Sequence, residues 1–436
     1  MSDAAKPRMS RIAFSSVAGT ALEYYDFAVY NTLAALVFNK LFFPTFDPRA
    51  GLLLSFATYW VGYLSRPLGG ILFGSLGDRR GRRYVLVVTL LMMGVTTTAI
   101  GCLPTYAQVG ALAPALLVAL RFVQGMALGG EWAGAVLLSM EHGDPQRRGR
   151  NAAWAQMGPS TGVLIATGTI ALLTAQLSPG ELEAWGWRLP LLASVVLVAF
   201  GLWLRLGVPE TPEFRALERE SARARAPLGE ALREHWRSLL IAGGARFGPD
   251  VLYSFITAFL LAYLTKELAL SRTVATTALA IGAAFNVVFV LFASEMSDRF
   301  GRRVVYGVGV VLAAAWLWVV FPMLATKNEL VIVCALASGL VIHAIMYGPQ
   351  GAFITEQFPA RVRYAGASLA YTFAGVFAGG LAPLALTGLF GAFRSPLVVI
   401  LYVSGALAIT GVALWAAKRV LQASSRTARS PDSSAP

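Results

Sequence analysis

The sequence predicts an all-α membrane protein of twelve transmembrane helices, arranged as two pseudo-symmetric six-helix bundles. Three observations carry that prediction. Hydrophobic residues make up 56 % of the 436 and charged residues only 14 %, with a mean hydropathy of +0.63. Soluble domains carry about 25 % charge, so a chain of this length has no soluble way to hide so much apolar surface. A ten-residue stretch, GSLGDRRGRR at 74–83, returns as SEMSDRFGRR at 294–303, which is 220 positions further on. Both copies lie between long apolar runs, as two copies of one membrane unit would place them. Finally, lysine and arginine segregate into alternate loops.

Crossing roughly 30 Å of hydrocarbon takes about 20 apolar residues. Runs that satisfy this lie near 14–38, 51–76, 84–103, 111–139, 152–177, 188–208, 238–265, 273–294, 304–324, 329–350, 364–389 and 396–417. Lys6, Arg8 and Arg11 precede the first run, which is too long for a signal peptide and is expected to stay in the membrane. They place the amino terminus in the cytoplasm. On that topology, cytoplasmic segments hold 25 lysines and arginines and external loops hold 7, the bias that marks a positive-inside protein. The remaining four, Arg66, Arg121, Arg205 and Arg246, lie within spans or at their ends. An even number of spans keeps Lys418, Arg419, Arg426 and Arg429 inside as well. The chain therefore divides into a cytoplasmic tail (1–13), a first bundle (14–208), a linker (209–237), a second bundle (238–417) and a tail (418–436). The linker bears charges of both signs, which suggests a solvated helix on the cytoplasmic surface. The tail from Ala423, rich in Ser, Arg and Pro, is expected to be disordered.

Composition also excludes functions. The net charge of +13 does not indicate nucleic-acid binding, because the basic residues sit in particular loops between spans. Cys102 and Cys334 lie in apolar runs without metal-ligand spacing and read as core residues. No phosphate-binding loop, no catalytic Ser/His/Asp set and no metal spacing is visible. The chain is not read as an enzyme, needs no cofactor, and must draw energy from an ion gradient.

Several stretches resemble the major facilitator superfamily, and within it the metabolite:H+ symporters, the group of shikimate, α-ketoglutarate, citrate and proline/betaine permeases. They are the two Asp-Arg-x-Gly-Arg-Arg loops, Glu23-Tyr-Tyr-Asp26-Phe27, Arg66-Pro-Leu-Gly-Gly70, Arg121-Phe-Val-Gln124-Gly125, Gly129-Gly-Glu131-Trp132, Trp185-Gly-Trp-Arg188-Leu-Pro190 and Glu356-Gln-Phe-Pro359-Ala-Arg361-Val-Arg363. The resemblance implies the major facilitator fold and proton-coupled symport of a small metabolite across a bacterial inner membrane, by a carrier taken to act as a monomer. Gly158-Pro159-Ser-Thr-Gly162 partly resembles the superfamily's antiporter signature, but Trp154 stands where a glycine is expected. An antiporter or exporter is thus the alternative reading.

The ionisable residues inside the spans supply the candidate sites, since intramembrane charge is costly unless it faces a cavity or a partner. Asp78, Arg79, Gly81, Arg82 and Arg83, with Asp298, Arg299 and Arg302 in the second copy, are read by resemblance as a latch on the cytoplasmic side. The alternative is a plain positive-inside anchor. Asp78 is placed to receive hydrogen bonds from a neighbouring helix end or an arginine. Glu141 and Glu356 join the same gate. Glu23 and Asp26 share one helical face with Tyr30. Burial disfavours their charge and suits reversible protonation, unless Glu23 is a partly hydrated packing residue. Arg121, Gln124 and Glu131 form a polar stripe on span 4. Arg121 and Glu131 lie about 15 Å apart along the axis and cannot pair with each other. Arg121 suits a substrate carboxylate, Glu131 suits a proton, and both also suit a bundle interface. Arg66 reaches either the cavity, Asp26 or a backbone carbonyl. Arg246 and Asp250 either pair at i, i+4 or serve the substrate with Tyr253. His343, Tyr347 and Gln350 line one face of span 10, and Asn286 lies in span 8; these read as substrate contacts or as packing residues. The expected cargo is a small carboxylate moving with protons.

Overall fold

Peptide groups in hydrocarbon have no water to bond, so long apolar runs must satisfy them internally as helices. In the computed structural model, which describes residues 9–45, 48–220, 224 and 226–427, that is how the chain folds. Span 1 is Met9–Leu33, continued by a π turn at Ala34–Phe38 and by Asn39–Phe42. Span 2 is Pro48–Arg80, span 3 Arg82–Gly101, span 4 Leu112–His142, span 5 Arg148–Gln176 and span 6 Pro179–Leu206. Spans 7 to 12 are Trp236–Glu267, Arg272–Phe300, Arg302–Ala325, Glu329–Thr355, Ala360–Phe393 and Pro396–Thr427. Among the described residues ten of these rods are long and apolar enough to cross a bilayer. The other two are span 1, which carries Glu23 and Asp26, and span 2.

Within the first half, span 1 packs on span 5 and span 4 on spans 2 and 3; within the second, span 10 packs on spans 8 and 9 and span 7 on span 12. The halves meet where span 2 lies on span 11 and span 5 on span 8. Close approach of spans 2 and 4 depends on absent side chains. A Cβ on Gly125 would stand 2.1 Å from the Gly62 carbonyl oxygen, and one on Gly129 the same distance from that of Arg66, as small-residue packing in membranes requires.

Four expectations are corrected. The helices extend past the apolar runs, because charged ends continue the backbone hydrogen bonding into the interface; span 1 begins at Met9 rather than 14. Span 12 continues helically to Thr427, past Ala423, where the polar tail was expected to be disordered; residues 428–436 lie outside the described residues. The linker is two short helices, Pro212–Arg219 and Pro227–Glu234, each opened by its proline. Cys102 and Cys334 are exposed rather than in the core, since an apolar run in a membrane protein presents one face to lipid as readily as to protein.

Candidate functional site

Between the two bundles lies a cavity of about 100 Å³. Both halves build it: Tyr24 from span 1, Tyr63 and Arg66 from span 2, Pro159 and Ser160 from span 5, Arg246, Asp250, Tyr253 and Ser254 from span 7, His343 and Tyr347 from span 10, Tyr371 and Gly379 from span 11. Span 11 passes it through a π turn, Val376–Gly380, a distortion often found beside functional sites. One ring stack and two hydrogen bonds tie the halves around it. Trp132 stacks on Tyr371 at 3.6 Å and donates to Gln156 Oε1 at 2.7 Å, while Gln156 Nε2 donates to the Tyr347 carbonyl at 3.1 Å. Ser160 donates to Asn286 Oδ1 at 3.1 Å.

The cavity's charge is set by three groups. Arg246 Nε donates to Asp250 Oδ2 at 2.7 Å, its Nη1 donates to the Tyr371 carbonyl, and its guanidinium lies 3.3 Å from the Tyr371 ring centre. Pairing and cavity exposure, posed as alternatives for Arg246 and Asp250, therefore hold together. Arg66 lies over Tyr63 at 3.8 Å and Phe27 at 4.6 Å, and its Nε and Nη2 find no hydrogen-bond acceptor among the described residues. It pairs with neither Asp26 nor a backbone carbonyl. Tyr253, His343 and Tyr347 line the cavity. Asn286 stands behind them, bonded to the Leu340 carbonyl and to His343 Nδ1. Gln350 sits apart, donating to the Tyr306 hydroxyl at 3.0 Å.

Other candidates lie inside the first bundle rather than on the cavity wall. Arg121 Nη1 donates to Gln124 Oε1 at 2.5 Å, Gln124 Nε2 to Thr97 Oγ1 at 2.7 Å, and Thr97 Oγ1 to Asp26 Oδ2 at 2.8 Å. Ser194 Oγ completes the Asp26 shell at 2.5 Å. Arg121 also faces the rings of Phe27 and Tyr30, and Tyr30 bonds Thr58. Arg121, Gln124 and Tyr30, read as substrate contacts, stand off the cavity wall, Arg121 taking its bundle-interface alternative, and Asp26 lies buried beside them: three neighbouring helices supply the partners that helical spacing alone could not show. Glu131 is held by Arg205 through both oxygens and by Thr89 at 3.0 Å. Arg205 was legible only as a basic residue at the end of span 6, although it is buried and central. Glu23 is buried, not hydrated. Its Oε1 lies 3.8 Å from Arg205 Nη2, and it lines a second, water-sized cavity with Arg66, Arg246 and Tyr371.

At the end of the bundles that carries them, the two repeated loops act across the halves. Asp78 accepts the backbone N–H groups of Tyr364 and Ala365 at 3.3 and 2.8 Å, at the start of span 11. Asp298 accepts those of Gly149 and Arg150 at 2.8 and 2.9 Å, at the start of span 5. Helix amino termini favour such anions. Arg82 pairs with Asp78 and Glu141, and Arg302 with Asp298 and Glu356. Arg83 and Arg303 donate to the carbonyls of Leu206 and Leu414, both at 2.8 Å. Arg79 is exposed and Arg299 pairs with Glu295 in its own turn. A contact set the sequence did not predict comes from the linker. Glu210 caps span 3 at Arg82 and Arg83, and Glu213 pairs with both Arg148 and Arg363. Among the described residues Glu230, Glu234 and His235 are near enough to share a metal, but Glu230 is already engaged by Arg361 at 2.7 Å.

The chain matches the family profile described as "Sugar (and other) transporter" over residues 12–235 and that of the Major Facilitator Superfamily over residues 248–435. It is 38 % identical over 380 residues to the shikimate transporter of Escherichia coli, 86 % of each chain. To the inner membrane metabolite transport protein YhjE of the same organism it is 36 % identical over 381 residues, again 86 % of each. Its fold resembles the solved proton:xylose symporter XylE bound to 6-bromo-6-deoxy-D-glucose, with a TM-score of 0.74 at 16 % identity, covering 93 % of this chain and 95 % of that one.

Proposed function

The chain belongs to the major facilitator superfamily as a multi-pass metabolite transporter, and from that premise we propose that it imports a small organic carboxylate together with protons. The observation that carries the substrate class is the cavity's charge. Arg66 and Arg246 face one carboxylate, Asp250, which leaves one cation in excess inside a low-dielectric chamber. A single negative charge is its complement, and guanidinium binds carboxylate in a bidentate way. The rings of Tyr63, Tyr253, Tyr347 and Tyr371 and the imidazole of His343 offer flat faces and hydrogen-bonding tips for the rest of the molecule. In this reading the protein sits in the bacterial inner membrane with both termini in the cytoplasm, works as a monomer and uses the proton gradient without a cofactor. The Asp78 and Asp298 latches hold the cytoplasmic side shut while the cavity fills. Their release lets the bundles rock about it.

The test is uptake into proteoliposomes of labelled shikimate, a second monocarboxylate, a tricarboxylate and a zwitterionic amino acid, with and without a protonophore. A monocarboxylate should accumulate under an inward proton gradient and stop doing so with the protonophore. Arg66→Gln and Arg246→Gln should each raise its KM roughly 10- to 100-fold, the worth of one charged hydrogen-bonding partner. Extrusion rather than uptake under the same gradient, or no transport of any carboxylate, rejects the proposal.

A further inference from the structure

We infer that Glu23 carries the coupled proton, and that Glu23 and the substrate carboxylate compete for one guanidinium, that of Arg66. This rests on the transport reading above and adds the coupling device to it. Away from the repeated loop, three buried acids lie in the first bundle, and two of them have a hydrogen-bond donor on each oxygen. Asp26 accepts from Thr97 and Ser194. Glu131 takes both faces of the Arg205 fork and the Thr89 hydroxyl. Glu23 is left over. Neither of its oxygens accepts a hydrogen bond from a described residue, and its nearest cation, Arg205, is 3.8 Å away and already engaged. Two carboxylates thus share one guanidinium, with side chains 0–2 % exposed, and a second buried anion without its own partner is strongly disfavoured. In this conformation Glu23 therefore holds a proton.

Its surroundings link that proton to the cargo. Glu23 opens onto a cavity of about 10 Å³, room for one water. Arg66 and Arg246 line both this cavity and the larger one. The charged and titratable groups around Glu23 are Glu131 on span 4, Arg205 on span 6, Arg66 on span 2, Arg246 on span 7, Tyr371 on span 11, and Tyr24 and Asp26 on its own helix. Arg246 is committed to Asp250, which leaves Arg66 as the cation able to answer either an ionised Glu23 or a substrate anion. When the substrate takes Arg66, Glu23 keeps its proton. When the substrate departs, the O–H bond breaks, the proton leaves by the cytoplasmic side, and Glu23 turns to Arg66. Substrate and proton then bind together and leave together, which is symport.

Infrared spectroscopy of the purified full-length chain gives a readout that needs no substrate. A protonated buried carboxyl has a carbonyl band separate from that of carboxylates, and it should vanish in Glu23→Gln while surviving in Asp26→Asn. Should Glu23→Gln fail to fold, 13C labelling of glutamate in the wild-type chain should still move the band, which an aspartate would not. A band untouched by Glu23→Gln, or by glutamate labelling, overturns the inference. In proteoliposomes, Glu23→Gln should retain substrate-for-substrate exchange of the transported monocarboxylate and lose proton co-movement and accumulation; retained proton-driven accumulation also overturns it. If the wild-type chain moves no carboxylate, the transport reading fails, while the infrared result still decides the proton site.

Discussion

The loop after span 2 and the loop after span 8 share five residues in the same order, yet the structure gives them different surroundings. At the first, Asp78, Arg82 and Glu141 have fully buried side chains. At the second, the side chains of Asp298, Arg302 and Glu356 are 7, 16 and 29 % exposed. The difference has a visible cause. The linker folds over the first loop, with Glu210 on the start of span 3, the Phe214 ring 5.2 Å from the Arg82 guanidinium, and Glu213 pairing with Arg148 and Arg363. No described segment covers the second loop in this way. One motif therefore becomes a dry ion cluster on one side and a wet one on the other, and burial sets how much each charge matters.

The largest expected effect follows from that burial. Asp78→Asn keeps the shape but removes the charge facing Arg82 and the amino terminus of span 11. Breaking a buried pair from one side costs about 3–5 kcal/mol, drawn from the state closed at these loops, which makes these contacts. Uptake should fall by at least 100-fold, and spin labels at exposed Arg80 and Arg299 should report a wider separation at the loop end of the bundles. The exposed Cys102 and Cys334 are replaced first. Asp298→Asn should widen that distance less; an equal or greater response would remove burial as the explanation.

How far this was legible in the sequence depends on the distance between partners. The repeat, the span count and the placing of Asp78 at a helix end or an arginine all came from local pattern, because helix period and turn chemistry act within a few residues. Glu131's partner did not. Arg205 is 74 positions away, and nothing local distinguishes it from a basic residue anchoring the end of span 6. Asp26 was legible as buried and needing a cavity or a partner, but not which, since the hydroxyls of Thr97 and Ser194 lie 71 and 168 positions away. Arg66 and Arg246 were legible as intramembrane cations, because an arginine inside a span is conspicuous wherever its partners are, and both line the cavity.

A second pair of positions sharpens the comparison at intermediate size. Gly81 and Gly301 begin spans 3 and 9 with φ of +107° and +91°, where an L side chain costs about 1–3 kcal/mol. At Gly301 that strain is the whole penalty, since an added Cβ meets nothing within 4 Å. At Gly81 the Cβ would stand 2.2 Å from Glu210 Oε2 and push the cap off span 3, adding about 1 kcal/mol. Gly81→Ala should therefore lower the melting temperature in detergent more than Gly301→Ala. Equal shifts would show that the linker adds no stability at the first loop.

The smallest effect belongs to Glu356→Gln. Glu356 occupies at the end of span 10 the place Glu141 holds at the end of span 4, and each pairs with the arginine of its loop, at 3.3 and 3.5 Å. Arg302 without Glu356 keeps Asp298 at 2.5 Å and the Ser297 hydroxyl at 3.0 Å, and water reaches the vacated side, so the loss should stay within the 0–1 kcal/mol of an exposed pair. Glu141, whose side chain is fully buried, stands between Arg82 and Arg363; Glu141→Gln removes one anion from each, leaving Arg82 on Asp78 and Arg363 on Glu213, and water does not reach the vacated carboxylate. Uptake by Glu356→Gln should fall no more than about fivefold, the equivalent of that limit, and the loss should shrink further in high salt, which screens only the exposed pair. Glu141→Gln should cost far more and respond little to salt. Matching losses in the two variants, or the same salt response, would mean that the latch reads the number of its charges rather than their burial.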